Sequence, residues 1–262
     1  MTTHPAATIL EPRVHLASRS PRRRALLHQI GVRFELLMFR APPREDAQVN
    51  EDPLPGEAAE AYVLRLARAK AAHGLTLQGL RRAGSHLVLA ADTTLDLEGE
   101  IIGKPRDAAD AEAILHRLSG RSHRVLTAVA VAAAHEPQRI EHALSVSSVR
   151  FRPLDPAEIR RYAQTSEPLD KAGAYALQGR AGMFVAEIQG SHSGIIGLPL
   201  CETAPAAPVR LSGLVFFSFC PVIMSEEFLV NFTPQETRVA LMQQGVVQEL
   251  HIERTASLGI VG

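Results

Sequence analysis

Residues 86–105, HLVLAADTTLDLEGEIIGKP, contain the pattern that decides the fold. An unbroken apolar run ends at the acid Asp92, and a second apolar stretch then turns at Glu98 and Gly99. A short apolar run bounded by polar residues is typical of a buried strand, and a Gly-containing pair between two such runs is typical of a hairpin. We therefore predict a buried strand over 86–92 with a hairpin after it.

The flanking sequence predicts helices mixed with further strands. A strand at 13–17 leads into a helix with Ser20 as N-cap, Pro21 as first helical residue and Gly31 as stop signal. Asp155 and Glu158 form a capping-box pattern at a later helix. The remaining predicted helices and strands cover 57–74, 107–120, 123–134, 140–151 and 154–164. This alternation indicates an α/β or α+β fold.

The composition is that of a globular protein without net charge. The 262 residues include 28 Lys and Arg against 28 Asp and Glu, and 46% of them are apolar. These values exclude a disordered or collagen-like chain and fit about one to two domains. Zero net charge removes the general electrostatic case for a nucleic-acid binder, so we expect no stable nucleic-acid binding.

Cysteine content and hydropathy indicate the compartment. The two cysteines, Cys201 and Cys220, are too few for a disulfide scaffold and fit a reducing environment. The N-terminal residues lack the cationic start and apolar core of a signal peptide. The longest apolar stretch, 211–223, is shorter than the ~18 residues of a spanning helix. We expect a cytoplasmic protein without membrane association.

Two segments have the chemistry of a ligand site. Residues 18–23, SRSPRR, lie at a strand-to-helix turn, where free backbone N–H groups and guanidinium groups favour phosphate. An ordinary solvated helix start is the alternative. Asp92 ends a buried strand, where a carboxylate can hold Mg²⁺ or accept a proton from water. A turn Asp that caps its own backbone is the alternative there.

Other polar residues do not indicate a site when taken singly. Glu45 and Asp46 lie in a Pro-rich loop, and loop acids are mostly solvated. Gln178 is in a Gly-flanked stretch, where its amide can contact a base or belong to a turn. His123 is expected to be structural. Three lysines have the pattern of surface residues: Lys70, Lys104 and Lys171.

Taken together, five segments resemble the Maf family of nucleotide pyrophosphatases. They are LASRSPRRRALL (16–27), YVLRLARAKA (62–71), LAADTTLDLEGEIIGKPRDAADAEAILHRLSGRSHRVLTAVAV (89–131), EPLDKAGAYALQG (167–179) and GSHSGIIGLPLCET (190–203). They follow the family's order. The resemblance implies an α/β fold with an elongated mixed β-sheet, flanking helices and a central cleft, related to the inosine triphosphate pyrophosphatases.

The resemblance also implies an activity and its residues. Members hydrolyse a nucleoside triphosphate to the monophosphate and pyrophosphate with a divalent cation, Mg²⁺ or Mn²⁺. Asp92 matches the proton acceptor and a metal ligand, and Glu45 or Asp46 should supply a second, loop carboxylate for the metal. A homodimer is suggested as well. The matches to phosphate-binding positions are Ser18, Arg23, Lys70, Lys104 and Lys171.

Three positions indicate which nucleotide is used. Arg22, Thr93 and Gln178 match a family branch associated with dTTP and UTP, whereas a branch associated with 7-methyl-GTP has Trp, Gln and Glu there. A Gln amide can both donate to and accept from a pyrimidine imide edge, whereas Glu suits the donor edge of guanine. The sequence therefore predicts a dTTP/UTP pyrophosphatase.

The C-terminal part has a different composition. Five of nine phenylalanines fall between 216 and 232, after a Pro/Ala-rich segment at 204–210. Residues 224–262 resemble the amino terminus of ribonuclease G, without its catalytic carboxylates, and predict three short strands. We therefore expect a flexible extension (1–12), a pyrophosphatase domain (13–204), a spacer (205–223) and a partial β fragment (224–262).

Two other functions remain open from the sequence. The tail could tether an RNA-associated interaction protein, although few aromatic residues and no complete RNA module argue against this. A non-enzymatic regulator of cell division is the other alternative, because the family is historically associated with septum formation.

Overall fold

The structure, a computed structural model, describes residues 14–38, 49–83, 86–206, 226–232, 236–243 and 246–254. Its first unit falls within 1–215. The strands of this unit are β1 (Val14–Leu16), β2 (Phe34–Leu36), β3 (Leu87–Leu97), β4 (Glu100–Ile102), β5 (Ser122–Ala133), β6 (Ile140–Phe151) and β7 (Val185–Gln189). The helices are α1 (Pro21–Gln29), α2 (Ala59–Leu80), α3 (Ala108–Leu118), α4 (Pro156–Ala163), α5 (His192–Ile196) and α6 (Leu200–Ala206).

The seven strands form one mixed sheet. Their order is β2-β1-β3-β5-β6-β7, and β4 pairs with β3 outside this path. β1 is parallel to both β2 and β3. The other pairs, from β3–β5 through β6–β7, are antiparallel. The predicted mixed α/β sheet with flanking helices is therefore confirmed.

The hairpin turn lies where the sequence predicts it, but the strand before it does not end at Asp92 and continues to Leu97. Leu97 pairs with Glu100, and the two residues between them, Glu98 and Gly99, have φ values of 57° and 90°. Positive φ at both central positions is the conformation of a tight hairpin turn that follows the twist of the strands. Glycine tolerates this conformation without a steric penalty.

Strand β3 is covered on both faces. Val88 and Ala90 belong to a core that also contains the apolar face of α2. Leu89 and Ala91, which point to the opposite face, pack in a core with Leu27 of α1. Successive side chains of a strand alternate between faces, so a strand buried on both sides has a continuous apolar run.

The far half of β3 enters a third core. Leu95 and Leu97 pack with Leu115 of α3 and Ile159 of α4. Phe151 lies in the same core, and its ring contacts those of Phe184 and Tyr175 edge to face. The first half of β3 therefore packs against α1 and α2, and its second half packs against α3 and α4. Residues 92–94 lie at the passage of the strand between these two groups of helices.

Helix α2 is longer than predicted because Gly74 does not end it. The helix continues to Leu80, six residues beyond the predicted end at 74. A Cβ atom at Gly74 would lie 2.6 Å from Cγ1 of Val88. This glycine therefore allows the helix to approach β3 closely, and it has no role as a stop signal.

Only one of the predicted helix-capping hydrogen bonds forms. The Asp155 side chain accepts a hydrogen bond from the Ala157 backbone, as expected for an N-cap. Glu158, however, bonds to Arg152 and does not complete the capping box. Ser20 is the N-cap residue of α1, but its side chain makes no capping hydrogen bond.

The second unit, within 216–262, is a small antiparallel sheet. Its strands are β8 (Glu226–Phe232), β9 (Glu236–Gln243) and β10 (Val246–Arg254), in the order β10-β9-β8. The prediction of three short strands is confirmed. The N-terminal extension and the spacer from 207 onward lie outside the described residues, whereas 205 and 206 end α6. Within the described ranges, no helix has the length and apolarity to cross a bilayer.

Candidate active site

A cavity of about 440 Å³ opens where β3 passes between the helix groups. This volume is in the range of small-molecule sites, about 300–1,000 Å³. The predicted central cleft is present, and the predicted site residues that the structure describes all line it. These are Ser18, Arg22, Arg23, Lys70, Asp92, Thr93, Lys104, Lys171 and Gln178.

The short length of β1 opens this cavity. Leu16, the last residue of β1, pairs with Leu89, three residues before Asp92 on β3. The Ala17 backbone N–H still donates to the Leu89 carbonyl at 2.8 Å, and the chain then turns into α1. The carboxyl end of a parallel strand therefore leaves a crevice beside Asp92, the usual place for a ligand in such sheets.

Asp92 points to the α2 side of the sheet because it shares the face of Val88 and Ala90. Its Oδ1 accepts a hydrogen bond from Nζ of Lys70 at 2.6 Å. The same ammonium lies 2.7 Å from Oε1 of Glu51. One cation thus joins two carboxylates at the cavity wall.

The charge state of Glu51 reflects this arrangement. Burial alone would raise the pKa of its carboxyl, but Lys70, with Lys104 and Arg19, lowers that pKa below its ordinary value. Glu51 is therefore ionised at neutral pH and forms a true ion pair.

Glu51 is a site residue that the sequence reasoning missed. The loop acids that the resemblance implies as metal ligands, Glu45 and Asp46, lie outside the described residues, and their role stays a prediction. Its loop is held against α2, since the Tyr62 hydroxyl donates to the Glu51 carbonyl at 2.9 Å and Arg65 donates to carbonyls of the same loop. Tyr62 and Arg65, one turn apart on α2, hold this loop by its backbone carbonyls, which any residue would offer, so the sequence contains no signal for Glu51.

Arg23 anchors the start of α1 to two other elements. Its Nε donates to the Gly197 carbonyl at 2.7 Å, just beyond α5. Its Nη1 donates to Oγ of Ser18 at 3.1 Å, and its Nη2 donates to Oγ1 of Thr93 at 3.2 Å. Protein groups therefore use all three guanidinium nitrogens and fix the orientation of the side chain.

The hydroxyl of Thr93 belongs to a chain of hydrogen bonds with one direction. Thr127 Oγ1 donates its single proton to the Gly194 carbonyl at 2.8 Å. In the 2.9 Å contact between the two hydroxyls Thr93 must therefore be the donor, and it accepts from Arg23. Since its proton is used, the Thr93 hydroxyl can offer a ligand only an acceptor.

Residues between 170 and 178 supply another part of the wall. Lys171 donates to the Glu167 carbonyl at 2.6 Å and pairs with Asp170. Burial lowers the pKa of the Arg22 guanidinium, and the charge of Asp170 opposes this shift. Gln178 lines the cavity with an exposed side chain.

His123 is structural, as expected. Its side chain is 3% exposed, and its Nε2 lies 2.9 Å from the Tyr175 hydroxyl in the hydrophobic core. Burial lowers the pKa of His123 to about 4, so the ring is neutral at neutral pH. It supports Tyr175, which lines the cavity, from behind.

The charge of the cavity suits a polyanion. Among the residues that the structure describes, its wall contains six cationic side chains against three acidic ones. The acids are Glu51, Asp92 and Asp170, and the cations are Arg19, Arg22, Arg23, Lys70, Lys104 and Lys171. Fixed cations around one cavity stabilise phosphate groups, and the carboxylates can accept a proton or bind a metal.

Known protein sequences and a solved structure resemble the chain. A protein of Aromatoleum aromaticum named dTTP/UTP pyrophosphatase is 60% identical over 196 residues, which are 74% of this chain and 94% of that protein. Proteins of the same name from Dechloromonas aromatica and Burkholderia pseudomallei are 56% identical (73% and 94% covered) and 57% identical (74% and 91% covered). The solved structure of the Staphylococcus aureus Ham1 protein is 15% identical, with a TM-score of 0.38 over 66% of this chain and 90% of that one.

The family description Maf-like protein matches residues 13–207, well over half of the chain. This range contains the whole mixed sheet and every described residue of the cavity wall. The chain therefore belongs to the Maf family.

Proposed function

We propose that the chain hydrolyses dTTP and UTP to the monophosphate and pyrophosphate. The observation that carries the proposal is the single cavity that unites the cationic start of α1 with Asp92 at the passage of β3. Relatives at 56–60% identity bear the name dTTP/UTP pyrophosphatase, which supports the same substrates. The enzyme is then a hydrolase that acts on acid anhydrides.

Asp92 acts as the proton acceptor. In the proposed step water attacks the α-phosphorus, the bond from this phosphorus to the bridging oxygen breaks, and one proton leaves the water. In the free protein Lys70 occupies Oδ1 of Asp92. We infer that Lys70 moves to the phosphates when substrate binds, which frees that oxygen for the proton.

The cationic side chains stabilise the departing pyrophosphate. Negative charge grows on this group as the anhydride breaks, and fixed donors in a partly buried cavity act most strongly on such charge. Arg22, Lys104 and Lys171 lie around the cavity and supply it, together with Lys70. Arg23 fixes Ser18 and the start of α1 through three protein contacts, and its two remaining N–H donors can bind a phosphate oxygen.

The residues present fit a divalent cation such as Mg²⁺ or Mn²⁺. Glu51 and Asp92 already converge on one cation, the Lys70 ammonium, at 2.7 and 2.6 Å. Among the described residues no group of three acidic, His or Cys ligands occurs, but Mg²⁺ is usually held by one or two carboxylates plus substrate phosphates. A bound ion would neutralise phosphate charge, with Glu51 and Asp92 as its protein ligands.

Gln178 is proposed to select the base. Its amide can donate to one carbonyl and accept from the N–H of the imide edge that uracil and thymine share. Thr93 has no proton left for a base, so we propose that it affects base selectivity by fixing the position of Arg23.

The free thiol of Cys201 is consistent with a protein of a reducing compartment, and we propose the cytoplasm.

The test is a panel of nucleoside triphosphates with pyrophosphate release as readout. The account predicts that kcat/KM is highest for dTTP and UTP, and that ATP, GTP and 7-methyl-GTP are poor substrates. A preference for 7-methyl-GTP would contradict the assignment of the base site. Release of orthophosphate in place of pyrophosphate would contradict attack at the α-phosphorus.

A further inference from the structure

The segment that carries Lys171 and Gln178 has little regular structure. Between α4 and β7 it contains three short 3-10 helices, Pro168–Asp170, Ala172–Ala174 and Arg180–Phe184. Asp170, Lys171 and Gln178 all face the cavity from it. Their relative positions must therefore be set by contacts that join the two ends of the segment.

One carboxylate makes these contacts. Oε1 of Glu167 accepts hydrogen bonds from the Tyr162 hydroxyl at 3.0 Å and from the Ala181 backbone N–H at 3.5 Å. Its Oε2 accepts from the Arg180 backbone N–H at 3.2 Å. The beginning of the segment is thereby tied to its end and to α4.

The backbone of Glu167 adds a direct connection to the cavity. Its carbonyl accepts a hydrogen bond from Nζ of Lys171 at 2.6 Å. Next to Gln178, Gly179 leaves space for the carboxylate, since a Cβ atom there would lie 2.2 Å from Oε1 of Glu167. The side chain of Glu167 therefore fills a position shaped for it, although it does not itself line the cavity.

We propose that Glu167 is a positioning residue for the proposed reaction, on which this inference rests. Its carboxylate closes the segment 167–181 and so holds Gln178 at a fixed distance from Lys171. Lys171 faces the phosphates and Gln178 the base, so this distance determines how well a nucleotide of the right base fits. Glu167 then governs KM and base selectivity without contact with the substrate.

Glu167→Gln tests the proposal because the change preserves size. All three partners of the carboxylate are donors, so an amide nitrogen must face at least one of them and leaves it unsatisfied. We expect KM for UTP to rise about ten-fold and kcat to fall less than KM rises. The ratio of kcat/KM for UTP to that for ATP should fall by a similar factor.

Glu187→Gln is the matched control. Glu187 lies on β7 and pairs with Arg150 at the surface, with both side chains 47% exposed. This control should keep the KM, kcat and selectivity of the wild-type chain. Melting temperatures of all variants show whether each is folded.

Four outcomes would overturn the inference. Unchanged KM and selectivity in a folded Glu167→Gln variant would overturn it. A loss confined to kcat would also overturn it, because a smaller folded fraction explains such a loss. If Glu167→Gln does not fold, Tyr162→Phe removes one donor to the same carboxylate, and unchanged KM and selectivity there would overturn the proposal. A wild-type chain that hydrolyses no nucleoside triphosphate would refute the proposed function and this inference with it.

Discussion

At the scale of single residues, alternation along β3 organises the site. Asp92 faces α2 and meets Lys70, whereas the next residue, Thr93, faces α1 and meets Arg23. Two neighbouring positions of one strand thus serve two faces of the sheet. One face holds the proposed proton acceptor, and the other holds the guanidinium that fixes the helix start.

The direction of the Thr93–Thr127 chain predicts the effect of one hydroxyl. Thr127→Val should lower kcat/KM for UTP about ten-fold, because the Thr93 proton and the Gly194 carbonyl both lose their buried partner. Thr127→Ser keeps the hydroxyl and should retain most of the activity. Steady-state kinetics of both variants measure this effect. Equal activity of the two variants would show that the Thr93–Thr127 hydrogen bonds have no role in positioning Arg23.

The buried His123 predicts a pH dependence of stability. Its pKa is about 4 in the folded protein, below the ordinary value of 6.5, because burial disfavours the charged ring. The unfolded chain therefore binds more protons between these values, and stability is lost as pH falls from about 6.5 towards 4. His123 should contribute a loss of about 2 kcal/mol between pH 7 and pH 5.

Chemical denaturation at pH 7 and pH 5 measures this loss. His123→Gln, which does not titrate and can still bond to Tyr175, should lose less free energy of unfolding over this range than the wild-type chain. Parallel losses in both proteins would show that His123 is not responsible.

Residue chemistry was predictable from the sequence where the local pattern determines it. Asp92 follows an apolar run, and the SRSPRR turn precedes a helical pattern, so both could be recognised. Glu51 could not, since only the fold of its loop onto Tyr62 and Arg65 brings it to Lys70. The direction of the hydrogen bonds at Thr93 likewise depends on Gly194, which is distant in the sequence.

At the scale of elements, the close packing of α2 on β3 positions Lys70 against Asp92. Gly74→Ala should destabilise the protein, since the new Cβ would lie 2.6 Å from Val88. Such overpacking costs about 1–3 kcal/mol of stability. The better helix propensity of Ala offsets about 1 kcal/mol of this cost.

Gly79→Ala in the same helix is the control. No atom lies within 4 Å of the Cβ position there, so this change should stabilise the protein by up to about 1 kcal/mol. Urea denaturation of both variants gives the free energies of unfolding. Equal stabilisation by the two substitutions would show that α2 does not depend on Gly74 to approach β3.

The longer elements were predictable, and the shorter ones were not. β5 and β6 each have 12 residues and a clear pattern, and both agree with the predicted ranges within about one residue. β2 has three residues, too few for a period to be recognised, and it forms through pairing with β1. The predicted end of α2 was wrong because, in the sequence, a glycine needed for packing cannot be told from a glycine that ends a helix.

At the scale of the whole molecule, the first unit contains every described residue of the cavity wall. We therefore propose that the domain over 13–204, extended to the end of α6, is sufficient for the reaction and that the β fragment at 224–262 takes no part in it. Deletion of 208–262 should leave kcat, KM and the melting temperature of the remaining chain unchanged. A large fall in melting temperature or rate would show that the C-terminal part is integral to the enzyme.

A division of the chain is predicted because its two parts differ in composition. The clustered phenylalanines and the Pro/Ala segment predict a boundary near 205, and the two compact units of the structure divide after residue 215. The sheet order was less accessible, because strand pairing between distant segments leaves no local signal. The resemblance to a known family implied an elongated mixed sheet but not the order of its strands.

The central claim is that Asp92 accepts the proton of the attacking water in this cavity. Single-turnover conversion of saturating UTP to UMP tests it in Asp92→Asn, with Asp107→Asn as control, since Asp107 caps α3 and Asn is an equally good cap. The account predicts that Asp92→Asn binds UTP but reacts about 10²–10⁴-fold more slowly, while the control reacts at the wild-type rate. A rate for Asp92→Asn within a few-fold of the wild-type rate would contradict the account.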